Sequence, residues 1–162
     1  MNKIRKIPPV CLFIAFAKLL TGRLRFSRKY LGNEVRNEEG KAFKIFRNIK
    51  NTKNRPSMES CVFVVSFKFA RLSHRANTVA SIIPMLLIAE FPGFVQKLYA
   101  VNEENGYWQG MYEWRSAKHL EAYKLSFVYR MMNKRSLPGT VHSHTISNGH
   151  LSDLIEPDKT KK

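Results

Sequence analysis

Residues 61–69 constrain the fold of this chain more than any other segment. They are mostly β-branched and aromatic residues, which favour extended strands. One face of the strand carries apolar residues at alternate positions, namely Phe63, Val65, Phe67 and Phe69. The opposite face carries Val62 and Val64. A strand that is apolar on both faces belongs in a sheet that is covered on both sides.

Two helices are predicted after this strand. The first begins near Ser73 or Asn77, either of which is able to cap it, and runs to Glu90. Because proline cannot continue a helical hydrogen-bond ladder, we expect a kink or a break into two pieces at Pro84. The second helix is predicted over residues 117–135, where apolar residues recur at helical spacing.

Three further strands complete the pattern, at residues 94–101, 107–114 and 140–146. The pair Asn105-Gly106 is the turn signal of a hairpin between the first two of them. The order β-α-β-β-α-β predicts an α+β domain of the ferredoxin-like type. The right-handed crossover rule then gives a four-stranded antiparallel sheet with both helices on one face.

Positive charge is concentrated in the first third of the chain. The 162 residues carry a net charge of +16, and residues 1–60 hold 15 Lys and Arg against 4 Asp and Glu. This asymmetry indicates an arm that meets nucleic acid or an anionic membrane, although a purely solubilising segment also fits. We therefore predict three segments. A basic N-terminal extension with a short apolar helix and a linker covers residues 1–56, a ferredoxin-like domain covers residues 57–147, and a disordered tail covers residues 148–162.

The N-terminal residues 1–31 contain an apolar run, residues 10–20, followed by basic residues. The run is too short to span a bilayer. Three interpretations stay open: an interfacial anchor on an anionic membrane surface, a signal peptide with Ala15-Phe16-Ala17 as its cleavage site, or a helix packed on the domain. Since the cysteines, Cys11 and Cys61, lack the pattern of a disulfide framework, we expect a cytoplasmic protein, with peripheral attachment to the membrane as the variant that an interfacial anchor would give.

The second face of the predicted sheet needs a cover, because two helices cover only one face. A second copy of the chain would provide it symmetrically, which predicts a homodimer. The competing cover is the N-terminal extension, through Phe43, Ile45 and Phe46.

Pro92-Gly93-Phe94 opens one strand, and Gly106-Tyr107-Trp108 with Tyr112-Glu113-Trp114-Arg115-Ser116 forms the next strand and leads into the second helix. These two segments resemble the dimeric α/β-barrel superfamily, and within it the monooxygenases related to antibiotic biosynthesis. Members of that superfamily pair two sheets face to face and often bind a hydrophobic molecule between sheet and helices. Some oxidise it without metal or flavin, and others bind haem. The resemblance implies fold more than chemistry.

Candidate ligand-binding residues lie on the strand at 107–114. Trp108, Tyr112 and Trp114 share a face, with Gly110 leaving a gap, and Arg115 follows. They form either packing or an aromatic wall for a flat apolar ligand. The candidates for a proton-accepting group are Tyr99, Tyr123, His74 and His119. We expect no cofactor, and whether the chain is an enzyme stays open.

Two other classes of function are disfavoured. His142 and His144 share a strand face, but a third metal ligand is not identifiable, with His119 and His150 as the only candidates. We therefore expect no metal site. Nucleic-acid binding through the sheet is also disfavoured, because residues 107–114 lack the basic and aromatic signature of RNA-recognition strands.

Overall fold

The computed structural model of the protein describes residues 8–70 and 73–155. In these ranges the strands are β1 Leu24–Phe26, β2 Glu34–Arg36, β3 Ala42–Asn51, β4 Cys61–Phe67, β5 Phe94–Val101, β6 Trp108–Trp114 and β7 His142–Ser147. The helices are α1 Pro8–Leu20, α2 His74–Ala80, α3 Ile82–Ala89, α4 Ala117–Lys124 and α5 Phe127–Arg135. A 3₁₀ helix, Leu151–Leu154, follows β7.

All strands belong to one antiparallel sheet. Its order is β1-β3-β5-β6-β4-β7, and β2 pairs with β3 beside β1. The predicted strands correspond to β4, β5, β6 and β7, which stand in the order β5-β6-β4-β7. With α2–α3 and α4–α5 as the two crossovers, this is the ferredoxin-like core. The α+β, ferredoxin-like prediction is confirmed.

The predicted number of strands is wrong, because the N-terminal range supplies β1, β2 and β3. Strand β3 pairs with β5 from Lys44 opposite Val101 to Lys50 opposite Gln96. Without β3, strand β5 would expose an unpaired edge. The boundary predicted at residue 57 therefore does not separate the extension from the sheet.

Both predicted helices are divided in two. The first breaks at Ser81, and Pro84 lies in the first turn of α3, where its missing N–H is tolerated. The second, predicted as one helix, breaks at Leu125–Ser126 because the Ser126 side chain accepts a hydrogen bond from the Tyr129 backbone N–H at 3.3 Å.

The sheet has an apolar core on each face. On one face Phe63, Val65 and Phe67 pack with residues of the helices, including Met85 and Leu120. The opposite face carries a second cluster of buried residues, which includes Val62, Val64, Leu98 and Met111. Both sides of the sheet are therefore dry, as the apolar character of β4 requires.

Segments of the same chain contribute to the core of the second face. They are Val35 of β2, Phe43 and Ile45 of β3, and Leu151 of the 3₁₀ helix. The predicted disorder of the tail is thus wrong for residues 148–155, because Leu151 anchors them in this core; residues 156–162 lie outside the described residues. Of the N-terminal residues proposed as the alternative to a second copy, Phe43 and Ile45 lie in this core, whereas Phe46 packs on the helix-facing side. The homodimer stays a prediction.

Helix α1 packs beside α3 on the helix-bearing side of the sheet. Its Ala15 is fully buried, and the Lys18 ammonium pairs with the Glu90 carboxylate at 2.7 Å. None of the helices within residues 8–70 and 73–155 combines the length and hydropathy needed to cross a bilayer.

The packing of β3 is testable by truncation of Ile45. We expect Ile45→Ala to lower the free energy of unfolding by about 2–5 kcal/mol, because it leaves a cavity in the second core. Urea denaturation measures the change. Met58→Ala, at a residue that is 93% exposed, is the control and should change little. Equal, small effects of the two substitutions would show that β3 is not part of the core.

Candidate functional site

A lysine lies at the centre of the helix-facing layer. Lys97 occupies the middle of β5, which is paired with β3 on one side and β6 on the other, and it is fully buried. Lysine is among the residues least often found fully buried, since transfer of an ammonium out of water is costly. Its presence in this layer is therefore the least expected feature of the core.

Tyrosine side chains surround the Lys97 amine. Its Nζ donates a hydrogen bond to the Tyr99 hydroxyl at 2.5 Å. The same atom lies 3.8 Å from the centroid of the Tyr99 ring and 4.3 Å from that of Tyr112. If the amine takes up a proton, these ring faces stabilise the resulting cation. The cage is therefore suited to hold both protonation states of the amine.

The environment of Lys97 favours its uncharged form. Burial lowers the pKa of the Lys97 ammonium well below its ordinary value, and the positive charge of Arg47 lowers it further. Burial also raises the pKa of the Tyr99 hydroxyl well above its ordinary value, and Tyr112 adds to that rise. Both shifts favour the uncharged forms, an amine that is able to accept a proton and a phenol that keeps its own.

An aromatic cluster extends from this cage toward the helices. The rings of Tyr112 and Tyr123 lie 5.5 Å apart, and the Trp114 ring stacks on Tyr123 at 5.2 Å. Burial raises the pKa of both Tyr112 and Tyr123. The Trp114 indole N–H has no hydrogen-bond partner among the described residues. A buried donor without an acceptor marks a place where a ligand oxygen would be stabilised.

The gap predicted beside Gly110 is filled by a side chain of the strand itself. A Cβ atom added at Gly110 would lie 2.9 Å from Cε2 of Tyr112. The absence of a side chain at residue 110 therefore lets the Tyr112 ring lie flat over the strand, close to Lys97. Glycine here shapes the tyrosine cage and does not leave an empty space.

An apolar groove opens between α1, the end of α3 and the pair α4–α5. Its volume is about 420 Å³, within the range of small-molecule sites, and its lining includes Cys11, Leu87, Pro92, Ala122 and Val128. Phe91 also lines it and packs against Tyr123, with ring centroids 5.7 Å apart. The groove and the aromatic cluster thus share a wall made by the Phe91 ring.

The structure brings most of the predicted aromatic residues together. Trp108, Tyr112, Trp114, Tyr99 and Tyr123 are all buried in the helix-facing core, and Trp108 lies 6.2 Å from Tyr99.

The remaining predicted site residues lie elsewhere. Arg115 is exposed and lines a separate shallow depression with His119. The His119 ring bonds with the Ser116 hydroxyl at 2.9 Å and packs over Gly93, where a Cβ would clash with it. Neither residue is in the aromatic cluster. The side chain of His74 lies outside the described part of the structure.

The histidines of β7 face a polar depression on the other side of the sheet. His142 and His144 are both exposed and line it together with Glu38, whose carboxylate lies 3.9 Å from His144 Nδ1. His150 bonds instead with the buried carboxylate of Glu113 at 2.9 Å. Within residues 8–70 and 73–155, no group of three or more His, Cys, Asp or Glu side chains is placed to hold a metal ion.

Sequence reasoning missed Lys97 as a candidate functional residue. The signal was present, since Lys97 occupies an alternating position with Tyr99 and Val101 in a strand that is otherwise apolar on that face. From residue type alone, a charged residue at such an alternating position is expected to be exposed to solvent. Only the pairing of β5 with β3 on one side and β6 on the other shows that residue 97 lies inside the sheet.

Comparison with known proteins gave structural matches alone. No family model matches the chain, and no curated protein matches it in sequence. The structure resembles a ferredoxin-fold protein of Listeria monocytogenes related to antibiotic biosynthesis monooxygenases, with a TM-score of 0.54 and 9% identity. That match covers 85% of this chain and 89% of the other. It therefore extends beyond residues 57–147.

Two further structures give similar values. A monooxygenase-like protein of Listeria innocua has a TM-score of 0.51 and 10% identity, over 80% of this chain and 84% of that one. A heme-degrading enzyme of Listeria monocytogenes has a TM-score of 0.50 and 10% identity, over 80% and 90%. At such identities the likeness is one of fold, and at that level it confirms the predicted resemblance to ferredoxin-fold proteins related to antibiotic-biosynthesis monooxygenases.

Proposed function

We propose that this protein binds a small apolar aromatic molecule in its helix-facing layer and oxidises it in a monooxygenase-like reaction. The observation that carries the proposal is the fully buried Lys97 amine, which lies in a cage of tyrosines and whose ammonium pKa is lowered by that burial. The structural neighbours support it in a general way, because those named above are described as monooxygenase-related or heme-degrading.

The shape of the ligand follows from the groove and from the cluster behind it. An apolar groove of about 420 Å³ suits a flat molecule of a few fused rings. Rotation of the Phe91 ring would extend the groove toward Trp114 and Tyr123, which lie directly behind it. A hydroxyl or carbonyl oxygen of the ligand would then accept the hydrogen bond that the Trp114 indole N–H lacks.

The chemistry assigned to the chain is proton removal. An apolar polycyclic phenol gives up its hydroxyl proton to the Lys97 amine, which lies in the tyrosine cage bonded to the Tyr99 hydroxyl. The resulting phenolate transfers one electron to dioxygen, and the ligand radical and superoxide combine to form a C–O bond at a ring carbon that bears hydrogen. The peroxide takes back the proton held by Lys97 and loses water, which leaves a quinone with one oxygen atom from dioxygen. Exclusion of water from the layer favours the electron transfer, because the ligand anion is not stabilised by solvent.

Ligand binding is measurable through the two tryptophans, Trp108 and Trp114. We expect quinols and polycyclic phenols to quench their fluorescence, and Trp114→Phe to weaken binding by about 2–10-fold through loss of one hydrogen bond. For this variant, affinity is measured by calorimetry, since one reporter is removed. Trp108→Phe is the matched control and should change affinity less. Absence of quenching and of heat with every compound would leave a structural or interaction module as the better interpretation.

The role of Lys97 is measurable as oxygen consumption with a bound polycyclic phenol. We expect Lys97→Met to lower the rate by about 10²–10⁴-fold while binding is retained, because the variant lacks only the proton acceptor. Lys118→Met, at an exposed lysine of α4, is the control and should leave the rate unchanged. Oxidation at the wild-type rate by Lys97→Met would eliminate the amine as the base.

The protonation state of Lys97 also predicts how stability depends on pH. In the unfolded chain Lys97 binds a proton below its ordinary pKa of about 10.4, whereas in the folded chain burial keeps it neutral to much lower pH. The unfolded state then holds more protons, so the free energy of unfolding rises with pH, by up to about 1.4 kcal/mol per unit.

Urea denaturation of the wild type and Lys97→Met from pH 7 to pH 9.5 tests this dependence. The variant should be the more stable protein at pH 7, and its advantage should shrink as pH rises. Above pH 10 the stability of both proteins should fall as pH rises, because the tyrosines, whose pKa is raised, keep their protons longer when folded. Parallel stability curves up to pH 9.5 would mean that Lys97 is protonated in the folded state.

A further inference from the structure

We infer that the outer face of α1 is a docking surface for an anionic lipid bilayer and lies in the plane of its interface. Helix α1, Pro8–Leu20, contains no acidic residue, and its single charged side chain is Lys18. That charge is directed toward the protein body, where it pairs with Glu90 at 2.7 Å. The rest of the helix is apolar all around, a pattern that fits burial in protein or lipid.

The face of α1 turned away from the protein is exposed and apolar. Phe13 is 75% exposed, Phe16 58% and Leu20 75%. Their spacing of three and four residues places them in one row along the helix. Ala15 on the other side of the helix is fully buried, so this row is on the outside because the inner face is already occupied. The adjacent helix α3 adds exposed Ile83.

The length of α1 determines how it would meet a bilayer. Its 13 residues span roughly 20 Å, against about 30 Å for the hydrocarbon core. The helix therefore lies along the interface, with Phe13, Phe16 and Leu20 inserted among the acyl chains. The ion pair between Lys18 and Glu90 keeps the helix attached to the domain in this position.

Basic residues follow the apolar row directly. The chain leaves α1 with exposed side chains of Arg23, Arg25, Arg28 and Lys29, and Phe26 is exposed among them. Clusters of this kind beside an apolar helix are attracted to anionic headgroups, and the attraction adds to the insertion of the rings. The net charge of +16 acts in the same direction.

The apolar row and the basic cluster together favour a lipid bilayer over two other partners, which are nucleic acid and a second copy of the chain. Nucleic acid would pair with the arginines but would leave the row of Phe13, Phe16 and Leu20 in contact with phosphates or water. A second copy would cover the apolar row, but a symmetric contact there would bring two identical basic clusters together. An anionic bilayer satisfies the apolar row and the basic cluster at once.

The test is flotation of the full-length chain with phosphatidylcholine vesicles, with and without phosphatidylglycerol. We expect binding to the anionic vesicles alone, falling as salt is raised. The double variant Phe13→Ser/Phe16→Ser should lose binding by at least about tenfold, because insertion of the rings is lost. Met58→Ser/Leu137→Ser removes two exposed apolar residues elsewhere and should bind like the wild type. Thermal unfolding confirms that both variants are folded.

Insertion is detected separately by Phe16→Trp. Trp108 and Trp114 are buried, so lipids with brominated acyl chains should quench the new tryptophan and leave the other two unaffected. Equal binding by wild type and Phe13→Ser/Phe16→Ser, or an unquenched Trp at residue 16, would overturn the docking surface. So would failure to bind anionic vesicles, or self-association that depends on Phe13 and Phe16. None of these results depends on ligand binding or oxidation.

Discussion

The whole architecture depends on covering a sheet whose inner strands are apolar on both faces. Strand β4 places Phe63 and Val65 toward the helices and Val62 and Val64 toward the opposite side, and all four are buried. Water cannot be left against either face, so the chain must supply two layers. The helices form one layer. On the other face, β2 and β3 extend the sheet itself and add Val35 and Phe43 to its core, and the 3₁₀ helix after β7 adds Leu151 from outside the sheet.

Covering both faces also creates the chemistry of the site. Strand β5 becomes an inner strand only because β3 pairs with its free edge, and this places Lys97 out of reach of water. A lysine at the same position on an edge strand would extend to solvent and keep its ordinary pKa. The N-terminal segment therefore affects the site mainly through the pairing of β3 with β5. It also supplies Arg47 of β3, whose positive charge lowers the pKa of the Lys97 ammonium further.

The parts of the fold that sequence predicts are those with a strong local period. Strands β4 to β7 and the break in the first helix follow from alternation, from the Asn105-Gly106 turn and from Pro84. Strand β3 was not predicted, because Lys44, Arg47 and Lys50 interrupt its apolar pattern and a bulge between Ile45 and Arg47 shifts its alternation. The alternation of β6 predicts that its aromatic residues share one face, whereas the burial of Lys97 does not follow from sequence, since it depends on a pairing between distant segments. Arg115, included because it follows Trp114, and His119, a candidate proton acceptor, both lie elsewhere.

Helix α1 contributes to both proposed sites, the apolar ligand groove and the lipid-docking surface. Cys11 of α1 lines the apolar groove, while Phe13, two residues further along, belongs to the row that faces outward. If this row lies in a bilayer interface, the groove beside it is close to the acyl chains and not to bulk water. Apolar quinols and polycyclic phenols partition into that region, where their concentration greatly exceeds their solubility in water. A protein of this shape would receive such a ligand laterally from the lipid, and the ligand would lose little hydration on entry. The exposed apolar row and the buried Lys97 amine would then act together. An oxidisable aromatic molecule would pass from the bilayer to the site without entering bulk water.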